Sequence, residues 1–174
     1  NNEAIKQASE NGHTETVRVL LQDPRVDPSA DNNYVIRCVT WNNHTEVVQL
    51  LLKDSRVDPS AKNNYAICCA SYEGYEDIVK VLLEDPRVDP SDFNNYAIRY
   101  ASENGHIEIV KLLLKDQRVD PSVDDNYAIR YASRNGNTEI VEFLLKDSRI
   151  DPSVDDNYAI RWASRNGNTK VVDL

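Results

Sequence analysis

Three sets of side chains in this sequence have the types that chemistry needs. His13, His44 and His106 are potential metal ligands, and Cys38, Cys68 and Cys69 could bridge or react. Tyr96, Tyr127 and Tyr158, each shortly before Arg99, Arg130 and Arg161, could stack on bases while the arginines meet phosphates. Asn43-His44-Thr45 also has the pattern of a glycosylation acceptor, which carries no weight in a reducing compartment. Spacing decides which of these can converge. One interval separates His13 from His44, Cys38 from Cys69, successive tyrosines of the triplet, and successive arginines. They are equivalent positions in a repeating unit, so they are expected to spread along a stack of helices about 10 Å apart. Histidines so spaced cannot share one ion. Cys38 and Cys69 would lie beyond the roughly 7 Å limit for a disulfide. No metal site, cofactor or catalytic residue is expected. No Gly-rich phosphate loop and no nucleophile beside a base and its orienting group stand outside the repeat pattern.

The elements that position these side chains follow from the repeat. Asp-Pro-Ser returns at that same interval, with its prolines at Pro28, Pro59, Pro90, Pro121 and Pro152. We expect a single array over residues 1–174, with repeats 1–31, 32–62, 63–93, 94–124, 125–155 and a partial 156–174. The last repeat stops at Leu174, where complete repeats have Leu112 and Phe143, so the sequence is expected to be a fragment of a longer array. Within the repeat that starts at Asn94, Ala97, Ile98, Ala101 and Ser102 mark one stripe of a first helix, roughly Tyr96 to Asn104. Asn94 and Asn95 precede it as candidates to cap its free N–H groups. Gly105, matched by Gly12, Gly74, Gly136 and Gly167 and by Asn43, predicts a left-handed stop. The second helix, roughly Ile107 to Lys115, carries the broad apolar face of Ile109, Val110, Leu112, Leu113 and Leu114. Asp120-Pro121 then denies the helix a continuation and predicts a short finger. Asp116 and Arg118, present in every finger, read as a charge network that shapes it. Helices of about nine residues are marginal alone, so neighbours must stack.

Gly105-His106-Ile107-Glu108-Ile109-Val110-Lys111-Leu112-Leu113-Leu114 resembles the second helix of an ankyrin repeat, and Gly12-His13-Thr14-Glu15 and Gly136-Asn137-Thr138-Glu139 carry the same pattern. The resemblance covers the whole chain. It departs in period, which is slightly shorter than the usual ankyrin spacing. It departs also in the first helix, where Tyr96-Ala97-Ile98-Arg99-Tyr100-Ala101 replaces the Thr-Pro-Leu-His opening. Repeats of this shorter period with Arg-Val-Asp-Pro-Ser fingers are similar to ankyrin arrays of giant DNA viruses of amoebae. A tetratricopeptide array would need a longer period and a longer first helix. The resemblance implies an all-α ankyrin-type solenoid with short finger loops. It implies a scaffold whose concave face binds another protein, and no enzyme.

Positions that vary among otherwise equal copies are the candidates for that binding. On the first helix, the face opposite the Ala/Ile stripe carries the positions of Tyr96, Arg99 and Glu103. The last of these is the most diverse: Glu10, Trp41, Tyr72, Glu103, Arg134 and Arg165. The finger tip also varies, through Asp31, Lys62, Phe93, Asp124 and Asp155. We therefore expect a partner-binding concave face of Trp41, Tyr72, Phe93, Arg99, Glu103, Arg130, Arg134, Arg161 and Arg165, anchored by the exposed rings. A column of Lys6, Arg37, Arg99, Arg130 and Arg161, broken by Cys68, leaves two readings open: recognition, or donation to finger carbonyls. The 20 Lys and Arg against 29 Asp and Glu, a net charge of −9, argue against nucleic acid as partner despite the Tyr and Arg columns. No apolar run approaches the length of a membrane span, so no membrane is expected. Three cysteines and no leader-like start point to the cytoplasm, a host cytoplasm if the chain is viral. Alternative functions are architectural, with the array joining further repeats or subunits through its ends, or, by analogy with the viral arrays, an adaptor that recruits host proteins.

Overall fold

In the computed structural model, which describes residues 2–174, every regular element among those residues is a helix. The chain forms two compact units. The first comprises the chain up to Ala70 together with Tyr75–Asp89, and the second comprises Ser71–Gly74 with Pro90–Leu174.

The first unit holds α1 (Asn2–Glu10), α2 (Thr14–Leu21), α3 (Ala30–Trp41), α4 (Thr45–Leu52), most of α5 (Ala61–Glu73) and α6 (Glu76–Leu83). Helix α1 packs on α2 and α3, α3 on α4, and α4 on both α2 and α6. Its core combines the first-helix stripe, Ile5, Ile36 and Ile67, with Val48, Leu51, Ile78 and Leu82 from the second helices, all fully buried. The second unit holds α7 (Asp92–Glu103), α8 (Ile107–Leu113), α9 (Val123–Asn135), α10 (Thr138–Leu144), α11 (Val154–Arg165) and α12 (Thr169–Val172). There α9 packs on both α7 and α11, and each first helix packs on the second helix that follows it. Ile98, Ile109, Leu113, Ile129, Ile140 and Leu144 fill its core. The expected small-residue stripe is real: Ala97, Ala101, Ala128 and Ala132 are fully buried where helices approach.

The predicted stops hold at every repeat. Gly12, Gly74, Gly105, Gly136 and Gly167 have φ between 68° and 85°, and Asn43 takes φ 59°. At Gly74 space matters as well as φ, because an added Cβ would lie 2.6 Å from the ring of His106.

The entry into the first helix differs from the expectation. Three successive residues before it are left-handed, for example Phe93, Asn94 and Asn95 with φ 51–56°, and right-handed helix follows only after Asn95. The triplet is closed by the Asn95 N–H, which donates to the Ser91 carbonyl at 2.8 Å. Asn95 does not cap its own helix. Its Oδ1 accepts the N–H of Asp120, in the next finger, at 2.8 Å. Asn2, Asn33, Asn64 and Asn126 do the same for Asp27, Asp58, Asp89 and Asp151. Asn was right for the position because it tolerates left-handed geometry; its side chain, aimed out of the helix, is then spent on the neighbouring repeat.

The fingers carry the expected charge network. The Arg87 guanidinium meets Asp85 at 2.6 Å and reaches back to donate to the carbonyls of Val57 and Leu52 in the previous repeat. Arg56 treats Val26 and Leu21 likewise. The arginine hydrogen bonds hold the carboxyls of Asp54, Asp85, Asp116 and Asp147 below the usual carboxylate range.

Candidate functional site

The variable first-helix face is developed most fully in the second unit. Tyr96 and Tyr100 stand one turn apart on α7, so their rings stack at 4.1 Å, and Tyr127 and Tyr131 on α9 stack at 4.0 Å. Between repeats Tyr100 meets Tyr127 at 5.6 Å and Tyr131 meets Tyr158 at 5.8 Å. Trp162 follows Tyr158 at 5.7 Å. Tyr72 and Phe93 join the same chain of rings, Tyr72 through Tyr100 at 5.9 Å and Phe93 through Tyr96 at 5.5 Å. The outcome is a continuous aromatic ladder that runs from Tyr72, at the end of α5, across the first helices α7, α9 and α11. Tyr72, 43% exposed, and Phe93, 55% exposed, are its most open members.

Arginines fill the gaps. Arg99 lies 5.4 Å from the Tyr100 ring and 5.2 Å from that of Tyr127, and Arg130 lies 4.9 Å from Tyr158. Their side chains are only 11% and 12% exposed. Arg99 Nη1 donates to Asp124 in the next finger at 2.9 Å, and Arg130 Nη1 donates to Asp155 at 2.8 Å. Each also donates to a carbonyl of its own left-handed turn, Arg99 to Phe93 and Arg130 to Asp124. Of the two readings the column left open, donation to finger carbonyls therefore occurs, joined by an ion pair to the next finger. Lys6 and Asp31 make the corresponding pair in the first unit.

The diverse column also has an internal duty. The Tyr127 hydroxyl donates to Glu103 Oε2 at 2.6 Å, and burial with that carboxylate raises the phenol above the usual tyrosine range. In the first unit the Tyr34 hydroxyl donates to Glu10 at 2.7 Å. Where the column carries Arg134, the direction reverses and Nη1 lies 3.5 Å from the Tyr158 hydroxyl. Arg134 and Arg165 then flank Trp162, at 4.9 and 4.7 Å from its ring. Arg161 is exposed.

Of the residues singled out by sequence, Tyr72, Phe93, Arg99, Glu103, Arg130, Arg134 and Arg165 thus meet on one ladder in the second unit. Trp41 belongs to the first unit, 55% exposed at the end of α3, where Arg37 lies 5.8 Å from the Tyr34 ring and 5.7 Å from that of Tyr65. The column that completes the ladder, Tyr100, Tyr131 and Trp162, was missed. Its signal was the aromatic pair one helical turn apart, repeated at the array period; the first three repeats have Gln7, Cys38 and Cys69 there, so no ladder forms.

Two of the histidines, His44 and His106, tie their repeat to the one before it. His44 Nε2 is 2.9 Å from the Glu10 carbonyl and His106 Nε2 is 3.0 Å from that of Tyr72, both in the preceding repeat. Asn137 and Asn168 replace them, donating to Glu103 and Arg134 carbonyls. Among the described residues no group of three or more His, Cys, Asp or Glu could hold a metal ion, and no helix is long and apolar enough to cross a membrane. Cys38, Cys68 and Cys69 are not joined in a disulfide.

Two family models of ankyrin repeats match the chain: one in three copies over residues 36–125, 67–156 and 98–174, the other over residues 5–52. The crystal structure of EF0377, an ankyrin repeat protein, is similar over 99% of this chain and 96% of its own, with 25% identity and a TM-score of 0.79. No curated protein matches in sequence.

Proposed function

The chain belongs to the ankyrin repeat family, whose repeats are in general protein–protein interaction modules, and we propose that it holds a partner protein on the concave face of its first helices and finger turns. The observation that carries this is Phe93. It is a large ring, mostly exposed, fixed at φ 51° where the other complete repeats have Asp or Lys. Left-handed geometry costs a residue of this kind about 1–2 kcal/mol, and stacking on Tyr96 returns a comparable amount. A ring kept at a strained, solvated position serves something outside the chain. Tyr72 and the ladder in the second unit, and Trp41 in the first, supply further anchors.

The array works as a scaffold. Arg99, Glu103 and Arg130 order the ladder, while Arg134, Arg161 and Arg165 are the members free to meet a partner's charge. The likeness of the fingers to viral arrays makes a host protein the partner under that origin. The test replaces Trp41, Tyr72 and Phe93 singly by Ala and compares partners recovered from lysate. Loss of a partner from a folded variant supports the reading, and unchanged recovery overturns it.

A second reading rests on the groove beside Leu174, about 230 Å³, lined by Ile129, Leu145, Ile160 and Val171. Leu145, Ile160 and Leu174 are exposed there. Such a surface suits an architectural element that stacks on further repeats or another subunit. Sedimentation distinguishes the two: a monodisperse monomer argues against assembly through this end.

A further inference from the structure

We propose that the Arg134–Trp162–Arg165 end of the ladder recognises an acidic segment of the partner, rich in Asp and Glu. This rests on the protein-binding reading above and names the partner's chemistry.

Three observations carry it. First, the arginines of this face fall into two kinds. Arg99 and Arg130 are neutralised by Asp124 and Asp155, whereas among the described residues neither Arg134 nor Arg165 pairs with a carboxylate. Secondly, the sign of their charge is not needed by the fold. The same column carries Trp41 and Tyr72 in other repeats, and Glu10 and Glu103 in it accept from the hydroxyls of Tyr34 and Tyr127. Arg134 meets Tyr158 from the opposite sense, so a positive charge is not required at this position for the contact between repeats. Thirdly, the two guanidiniums are held. Both lie against the Trp162 ring, at 4.9 and 4.7 Å, and Arg134 is also 5.7 Å from Tyr131. Planar forks braced on aromatic rings keep their outward N–H groups available and lose little freedom when a carboxylate arrives. In a chain of net charge −9, two braced and unpaired cations on one face are a local inversion of sign. That inversion selects an acidic partner against the background of a chain that repels one.

The test uses the whole chain and three fluorescent probes: a glutamate-rich peptide, its glutamine counterpart and a dT oligomer. At low salt the glutamate peptide is expected to bind about tenfold more tightly than the glutamine one, with the difference shrinking as salt rises. Arg134→Glu combined with Arg165→Glu should abolish the preference while the chain stays folded, with a melting temperature lowered only by the loss of two contacts to the Trp162 ring, because Glu already stands at equivalent positions. Arg134→Lys combined with Arg165→Lys should keep the charge and retain part of it. Equal binding of both peptides overturns the proposal, as does a preference that survives the Glu variant. Tighter binding of the dT oligomer than of the glutamate peptide also overturns it, in favour of a general polyanion site. If lysate partners are lost on Phe93→Ala yet persist in the double Glu variant, protein binding stands and the acidic preference falls. If neither variant changes recovery, both fall.

Discussion

Phe93 and Asp85 show two ways in which one side chain can stand in this array. Phe93 is a departure from the repeat, and its replacement by the residue of its siblings is a clean experiment. Phe93→Asp relieves part of the left-handed strain of about 1–2 kcal/mol and loses a ring stack of about 0.5–1.5 kcal/mol, so stability should stay within about 1 kcal/mol of the native chain. Urea denaturation checks this. A loss much larger than that would mean the ring is packing, not anchoring. Asp85 is the opposite, a residue that every finger repeats. Its carboxyl is held below the usual carboxylate range chiefly by the hydrogen bond from Arg87. A group whose pKa is lower folded than unfolded stabilises above its unfolded value, near 4, and that contribution fades as pH falls through the folded value. Asp85→Asn should therefore melt earlier than the native protein at pH 7, and the gap should begin to narrow as pH falls below about 4, closing only below the folded value. A gap independent of pH would place the loss in the backbone turn and not in the ion pair.

At the scale of the element, the finger is the part whose mechanism sequence could not supply. Asn95→Gly keeps the left-handed geometry while deleting the Oδ1 that receives the Asp120 N–H. The expected cost is about 1 kcal/mol, the loss of one hydrogen bond to a partly buried donor, and chemical denaturation measures it. The helices themselves were legible because their signals are local: the apolar stripe of Ile109, Val110 and Leu113, the Gly stops and the Asp-Pro break. The left-handed triplet was not. Asn before a helix reads as a cap, and only the position of the next finger, beyond the whole of the second helix, shows that its oxygen is engaged there. The aromatic ladder was half legible for the same kind of reason. Tyr96 and Arg99 were visible as columns, but stacking between Tyr100 and Tyr127 depends on how adjacent first helices meet. Burial of Arg99 between rings likewise follows from that meeting, not from its own neighbours in sequence.

Across the whole molecule, stability and specificity are divided among different residues. Fully buried Leu113 packs α8 into the core of its unit, and Leu113→Ala should cost about 2–5 kcal/mol in calorimetry or denaturant melts. Because repeats interact with nearest neighbours, amide exchange should accelerate most in α7 and α8 and in the adjoining α10. Variation at Trp41, Tyr72 and Phe93, by contrast, is tolerated by the array, since other copies fold with Glu or Asp at those positions. One chain can therefore be made to lose its odd residues and keep its frame. The most direct measurement is quantitative partner recovery with Trp41→Glu, Tyr72→Glu and Phe93→Asp combined, alongside a thermal melt. We expect a melt close to that of the native chain and loss of its principal partners; a native melt with every partner retained would contradict the division between repeated frame and variable anchors.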